Sequence, residues 1–308
     1  MPWSKNLTFT DPFLCQLAIQ GSDTELLPTA KGDFDAEITQ VRMNRLWMQR
    51  FHVNLPHVSS VRMLPGRLAI GFLTDEHQPA MQHCGMEVSP GDIIVNDFDV
   101  LHQRFGADIR YGSMSLTFDE LHGACQAING RQFPPPAPRH YLRPDHDLIS
   151  RLSKLHEAVG HLARTNPALL EQTEVARALE HQLIHLMVRC LTEGAASNLT
   201  NGFRQHDRII ARFEEFLEAN PDQPLYLTEI CTAIGVAERT LRAACEEHLG
   251  MGPIRYLTLR RMHLVRRALL RTKSSTTARS STRKTSRARS AGSANAPAST
   301  ISPRACAS

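Results

Sequence analysis

The sequence predicts an α+β chain. A β-barrel-like region spans 1–140, a helical segment 145–193, an all-α helix-turn-helix region 203–271 and a disordered tail 272–308. Three observations carry this expectation. Short apolar runs broken by turn residues fill 33–120, and apolar positions then recur at helical spacing. Finally, two helical patterns flank a glycine just ahead of an arginine-rich stretch without acids.

The apolar runs are Val58 to Met63, Leu68 to Leu73, Gly85 to Val88, Ile93 to Val95 and Ser113 to Phe118. Leu64-Pro65-Gly66 and Ser89-Pro90-Gly91-Asp92 supply tight turns between them, so the region reads as a small barrel or sandwich. From Arg131 to Arg143 the density of Pro134, Pro135, Pro136 and Pro138, with Pro144 behind, forbids a helix and predicts a stiff connector. Leu148, Leu152, Leu155, Val159 and Leu162 then mark one amphipathic helix. Leu169, Leu170, Val175, Leu179, Leu183, Leu186 and Met187 mark a second, joined near Thr165-Asn166-Pro167. These helices either pack against the barrel or form a homodimer interface. Gly194 to Gly202 is a small-residue linker and the expected domain boundary.

After the linker, Arg208 to Leu217 places Ile209, Ile210, Phe213, Phe216 and Leu217 on one helical face. The segment Leu225 to Arg242 then reads as helix, turn, helix: Thr228 as cap, Ile230, Ala233 and Ile234 facing inward, and Gly235 at the turn, where positive φ is required. Leu241, Ala244, Cys245 and Leu249 extend an apolar face along the second helix. Glu238, Arg239, Arg242, Ala243 and Glu246 are left pointing outward. An outward arginine can pair bidentately with guanine and a glutamate can accept from cytosine, so this helix fits a DNA major groove. A third helix starts at Pro253, after Gly250-Met251-Gly252, and continues through Tyr256, Leu257, Met262, Val265, Ala268 and Leu269.

Charge supports a polyanionic partner. Lys plus Arg against Asp plus Glu number 17 to 22 in residues 1–202, 11 to 9 in 203–271 and 7 to 0 in 272–308, so the net charge of +4 is C-terminal. Arg255, Arg260, Arg261, Arg266, Arg267 and Arg271 form a stripe expected to face phosphates. No run reaches the ~18 apolar residues of a membrane span and Met1 to Thr10 lacks a signal-peptide pattern, so a cytoplasmic chain without a membrane partner is expected. The seven cysteines are scattered without a C-x-x-C pair, which argues against a zinc finger or a disulfide framework.

The stretches Leu227-Thr-Glu-Ile-Cys231, Gly235-Val-Ala-Glu-Arg-Thr-Leu241, Glu247 to Met262 and Val265-Arg-Arg-Ala-Leu269 resemble the AraC/XylS family of transcription regulators. More weakly, Val88-Ser-Pro-Gly-Asp-Ile-Ile-Val95 resembles that family's N-terminal, cupin-like sensor region. The resemblance implies two helix-turn-helix units joined by a long helix, here Pro253 to Arg271, with only the first unit present. It implies DNA contacts at Glu238, Arg239, Thr240 and Arg242, with Arg255, Arg260 and Arg261 on the backbone and Gly235, Gly250 and Pro253 shaping the turns. It further implies double-stranded DNA and a small-molecule effector as partners, a homodimer, and RNA polymerase if the chain activates. No cofactor, metal or catalytic residue is expected. Two positions depart from the family: Ala243 stands where an arginine is common, and Ala237 replaces the usual serine cap.

Thr272 to Ser308 holds sixteen Ser or Thr, seven basic residues and one large aliphatic, Ile301, which is too little apolar surface to order a core. A frameshift is one reading. Codons for Thr272 to Arg289 exist that another frame reads as D-E-V-V-D-N-G-K-V-I-D-T-E-D-I-A-R-A, and Ala291 to Ser293 as G-R-F, which resembles the missing second unit. Coding DNA without that open frame would sink it. The other reading is a natural basic tail that binds nucleic acid nonspecifically. Two rival functions stay open. A cupin-type metal protein would use Asp75, Glu76, His77, His83 and His102, although no H-x-H pair is present and histidines beside turns are usually solvated. A DNA-binding-defective product would act as an antagonist of a full-length relative.

Overall fold

The computed structural model describes residues 2–96, 100–130, 140–196, 201–221, 223 and 225–269. The tail 272–308 and the proline-rich stretch 131–139 lie outside the described residues. The chain divides into two compact units, Met1–Arg260 and Arg261–Ser308.

The first unit opens with β1 (Trp3–Phe9), α1 (Pro12–Ala18), β2 (Ser22–Pro28), β3 (Ala36–Arg42), β4 (Trp47–Val53), β5 (His57–Met63) and β6 (Arg67–Leu73). It continues with β7 (Met81–His83), β8 (Met86–Val88), β9 (Ile93–Asn96), β10 (Val100–Phe105) and β11 (Ile109–Thr117). Two antiparallel sheets result. One runs β1-β3-β4-β11-β6-β9 and is extended by β12 (His140–Arg143) and β13 (Ala195–Ala196), and the other runs β2-β5-β10-β7-β8. The expected barrel is present, with more strands than the apolar runs marked: β1 to β4 and β10 carry too many polar residues to register as runs.

β11 shows how the core is built. Its odd-numbered Ile109, Tyr111, Ser113 and Ser115 line a cavity between the sheets, while Met114 and Leu116 enter a separate apolar cluster on the opposite face. That second cluster is completed by α2 (Phe118–Asn129), α3 (His146–Thr165), α4 (Pro167–Glu171) and α5 (Thr173–Glu193). The helices predicted from 145 onward therefore pack on the barrel. Buried Glu180 of α5 accepts from the Arg45 and Leu46 amides at 2.6 and 2.9 Å, tying the helix to the β3–β4 turn.

Three local expectations need correction. Residues 140–143 are a strand, not connector: Arg143 and Tyr141 both bond Asp92, which is buried in the 89–92 turn. α2 was not anticipated, although its capping box is written in Thr117 and Glu120. The second of the two predicted helices is really two, α4 and α5, parted at Gln172.

Three helices close the first unit's helix-turn-helix region: α6 (Asn201–Ala219), α7 (Leu227–Ile234) and α8 (Glu238–Leu249). Residues 253–260 are helical as well. Ile209, Ile210, Phe213, Leu217, Ile230, Ile234, Leu241, Ala244, Cys245, Leu249 and Tyr256 share one apolar core, joined by Leu27 and Val58 from the barrel. The second unit opens with helical residues 261–269. Met262, Val265 and Leu269, through which the third helix was expected to run, are exposed. No helix of the described residues is long and apolar enough to cross a membrane.

Candidate nucleic-acid interface

The α7–α8 pair is held by its own chemistry. α7 starts at Leu227, and Glu229 reaches back to accept from the Tyr226 amide at 3.2 Å, so Thr228 lies inside the helix and is not its cap. Gly235 ends α7 at φ 66°, in the left-handed region that disfavours a side chain. From α6, Arg212 donates to the Ile234 carbonyl at 2.9 Å, which satisfies a helix-end acceptor and fixes α6 against the turn. Ile230 and Ile234 point inward as expected, whereas Ala233 is exposed.

α8 divides cleanly by face. Leu241, Ala244, Cys245, His248 and Leu249 are buried, while Glu238, Arg239, Arg242, Ala243 and Glu246 are exposed and Thr240 is half-buried. Arg242 is not idle: its Nη2 lies 2.6 Å from Glu238 Oε1, an i,i+4 pair on the surface. Such a pair stabilises the isolated helix by only about 0.3–0.5 kcal/mol, less than one bidentate base contact, so DNA can break it. The cap position Ala237 has no side-chain hydrogen bond. Ala237→Ser should therefore raise stability by about 1 kcal/mol in urea unfolding, and an unchanged midpoint would show that solvent already satisfies those amides.

The basic stripe is less available than the sequence suggests. Arg255 donates to the Thr29 carbonyl at 3.1 Å while remaining exposed. Arg260 is withdrawn from phosphate contact: its side chain is 12% exposed, 3.4 Å from Glu214 and 3.9 Å from Glu25. A guanidinium with two carboxylates beside it in a covered seam has its charge already answered. Arg261 is exposed at the start of the second unit; Gly250 follows α8 at φ 68°, and Pro253 is the first residue of the next helical stretch.

Glu214 marks a feature that sequence reading missed. Strands β2, β5 and β10 form a wall one strand thick, and alternation along each strand gives it two functions. One side presents Thr24, Leu26, Ser59, Val61, Gln103 and Phe105 to the cavity. The other presents Glu25, Leu27, Val58, Arg62, His102 and Arg104 to the helix-turn-helix helices. Leu27 and Val58 enter that apolar core, Arg62 makes a two-pronged bond to Glu218 at 2.9 and 3.0 Å, and His102 Nε2 stands 3.5 Å from Glu214 Oε1. Arg104 lies so close to Gly250 that a Cβ there would collide with it. Burial pushes the Glu214 carboxyl up, but His102, Arg260 and Tyr256 outweigh that and hold it below the usual range. One signal was present in the sequence, since Glu214 interrupts the apolar stripe of α6 between Ile210 and Leu217.

The cavity itself has a volume of about 90 Å³. Of Trp47, Phe51 and Phe72, large aromatic residues of the barrel strands, Phe51 lines it. Phe72 sits in the opposite cluster because its strand alternates the other way. Trp47 opens β4 between the guanidinium groups of Arg42 and Arg67, at 4.5 and 4.0 Å. Gly71 makes room within the barrel, because a Cβ there would occupy the position of the Tyr111 hydroxyl.

The candidate metal residues do not converge. Asp75 pairs with Arg110 at 3.2 Å, His77 is exposed, and His83 and His102 are buried in the other sheet, contrary to their expected exposure. Cys84 is buried, with its sulfur accepting from the His102 amide. Among the described residues no group of three or more His, Cys, Asp or Glu is placed to hold a metal ion.

No family model matches the chain. Among solved structures it is similar to apo ToxT from Vibrio cholerae, at 7% identity over 79% of this chain and 80% of that one, with a TM-score of 0.30. ToxT with a bound unsaturated fatty acid matches at 7% identity over 74% and 82%, TM-score 0.27. KdgF from Halomonas sp. matches at 15% identity over 30% of this chain and 93% of that one, TM-score 0.22. Identities and TM-scores this low assign no function.

Proposed function

We propose that this chain is a sequence-reading, DNA-binding transcription regulator rather than an enzyme, and that its barrel cavity receives a small-molecule effector. One observation carries the reading. α8 buries one face in a core shared with α6 and α7 and leaves Glu238, Arg239, Arg242, Ala243 and Glu246 outward on the other. A rigid helix with two exposed arginines and donor–acceptor side chains at groove spacing is what base-edge readout requires.

The wall of β2, β5 and β10 supports the effector half of the proposal. A ligand that shifts Thr24, Ser59 or Gln103 moves the same strands that hold Arg62 and His102 against α6 and Glu25 beside Arg260. Cavity occupancy and the placement of α8 are therefore energetically linked, and by reciprocity DNA must change effector affinity by the same factor. The same reading makes double-stranded DNA the macromolecular partner, with a homodimer in the cytoplasm and RNA polymerase contact if the chain activates. Footprinting of the DNA upstream of its own coding region tests it. A protected stretch of about one helical turn per bound helix-turn-helix unit is expected, and uniform weak protection with no boundary would overturn sequence reading.

A further inference from the structure

We propose that the barrel cavity selects a compact, uncharged molecule carrying a hydroxyl group and excludes carboxylates and ammonium ions. This names the effector chemistry of the regulator reading and rests on that reading for its biological role.

The first observation is the lining. Among the described residues, both sheets and α1 contribute to it, and none is Asp, Glu, Lys or Arg. The titratable groups that do line it are neutral at pH 7. Burial pushes Cys15 up to about 12, pushes the Tyr111 hydroxyl up, and pushes His57 down to about 4. His57 Nδ1 donates to the Leu55 carbonyl at 3.0 Å, which fixes its tautomer and leaves Nε2 as a neutral acceptor. A charged ligand would lose its hydration and meet no counter-charge here, a cost that uncharged ligands avoid. Arg67 is bonded to the lining but is not itself a lining residue, and it gives its donors to the Ser115 hydroxyl and carbonyl and to the Arg45 carbonyl.

The second observation is an unanswered polar atom. Asn96 lines the cavity and its amide meets the Tyr111 hydroxyl, yet its Oδ1 is buried with no hydrogen-bond partner among the described residues. Buried amide atoms are rarely left so. A ligand hydroxyl, donor and acceptor at once, can satisfy that amide in either orientation.

The third observation is size. An apolar cavity of about 150 Å³ takes benzene. At about 90 Å³ this one fits a smaller body, on the order of three or four heavy atoms.

A matched series tests the proposal on the full chain: 1-propanol, propane, propanoate and propylammonium, each titrated by ligand-detected saturation-transfer NMR. 1-Propanol is expected to bind in the millimolar range, with both ions at least about tenfold weaker. Asn96→Leu should weaken 1-propanol about five- to tenfold and leave propane unchanged. Propanoate or propylammonium binding as well as 1-propanol would overturn the proposal, as would no binding of 1-propanol or an Asn96→Leu chain that keeps full affinity for it. If Asn96→Leu does not fold, the ranking of neutral against charged ligands on the unaltered chain decides alone. The regulator reading fails separately: a chain that takes 1-propanol but shows no DNA preference sinks that reading and leaves the cavity chemistry standing.

Discussion

Acidifying the chain from about pH 7 to pH 5 should remove about 4 kcal/mol of folding stability. The cause is two histidines that fold only as neutral rings. Burial lowers His57 to about 4, partly opposed by its bond to the Leu55 carbonyl. Burial lowers His156 to about 3, helped by the adjacent Arg50 charge. Arg50 Nη1 donates to His156 Nδ1 at 3.0 Å, and that ring nitrogen can accept only while unprotonated. The sign follows directly. Both folded values lie below the ordinary 6.5, so the unfolded chain binds protons that the folded chain refuses as pH falls through 6.5. Each ring then costs about 1.4 kcal/mol per pH unit until its folded value is reached. Glu214 acts in a different window. Its folded value lies below the ordinary 4.5, so the stability it contributes is intact above 4.5 and is lost only as pH falls through the lower value. Urea unfolding at a series of pH values measures the slope. His156→Gln should halve it even though it destabilises the chain at pH 7, and a slope unmoved by both His57→Gln and His156→Gln would contradict the assignment.

Glu214→Gln should cost about 3–5 kcal/mol, the second large effect. The carboxylate stands between two partners from different parts of the fold, the His102 ring of β10 at 3.5 Å and the Arg260 guanidinium at 3.4 Å. Its own side chain is 5% exposed, so water cannot replace it cheaply. Removing the charge strands a covered guanidinium whose remaining acid, Glu25, is 3.9 Å away. The pair itself need not stabilise the fold relative to an apolar seam, because both charges were desolvated to form it. The double variant Glu214→Leu with Arg260→Met should therefore cost much less than the two single changes summed, a difference that a double-mutant cycle reads. A cost below about 1 kcal/mol for Glu214→Gln would mean that the seam is hydrated and does not join the barrel to the helix-turn-helix.

How much of this was legible depended on whether a residue's role was local. The α7–α8 pair was readable because Gly235, Ile230, Ile234, Leu241, Ala244 and Leu249 encode it within one stretch, and helical periodicity needs no distant partner. The barrel strands were readable only where apolar residues ran together. β6 is buried on both faces, so its alternation is silent and Phe72 gave no sign of which layer it joins. Arg260 was misjudged for a related reason. A stripe of arginines looks like a phosphate face until Glu214 and Glu25, far away in the chain, are brought beside one of its members. His83 and His102 were misjudged in the same way, since their burial is set by strand pairing across the five-stranded sheet. Ala237 was legible in full, because a missing cap is a property of one position.

The most direct test of the central claim is fluorescence anisotropy of the purified chain on its own upstream DNA and on a scrambled duplex, across a salt series, beside Arg239→Ala. The account predicts tighter binding to the upstream DNA, with Arg239→Ala losing about 1–3 kcal/mol of that preference while binding to scrambled DNA changes little. Equal affinity for both duplexes at every salt concentration, unaltered by Arg239→Ala, would contradict reading by α8.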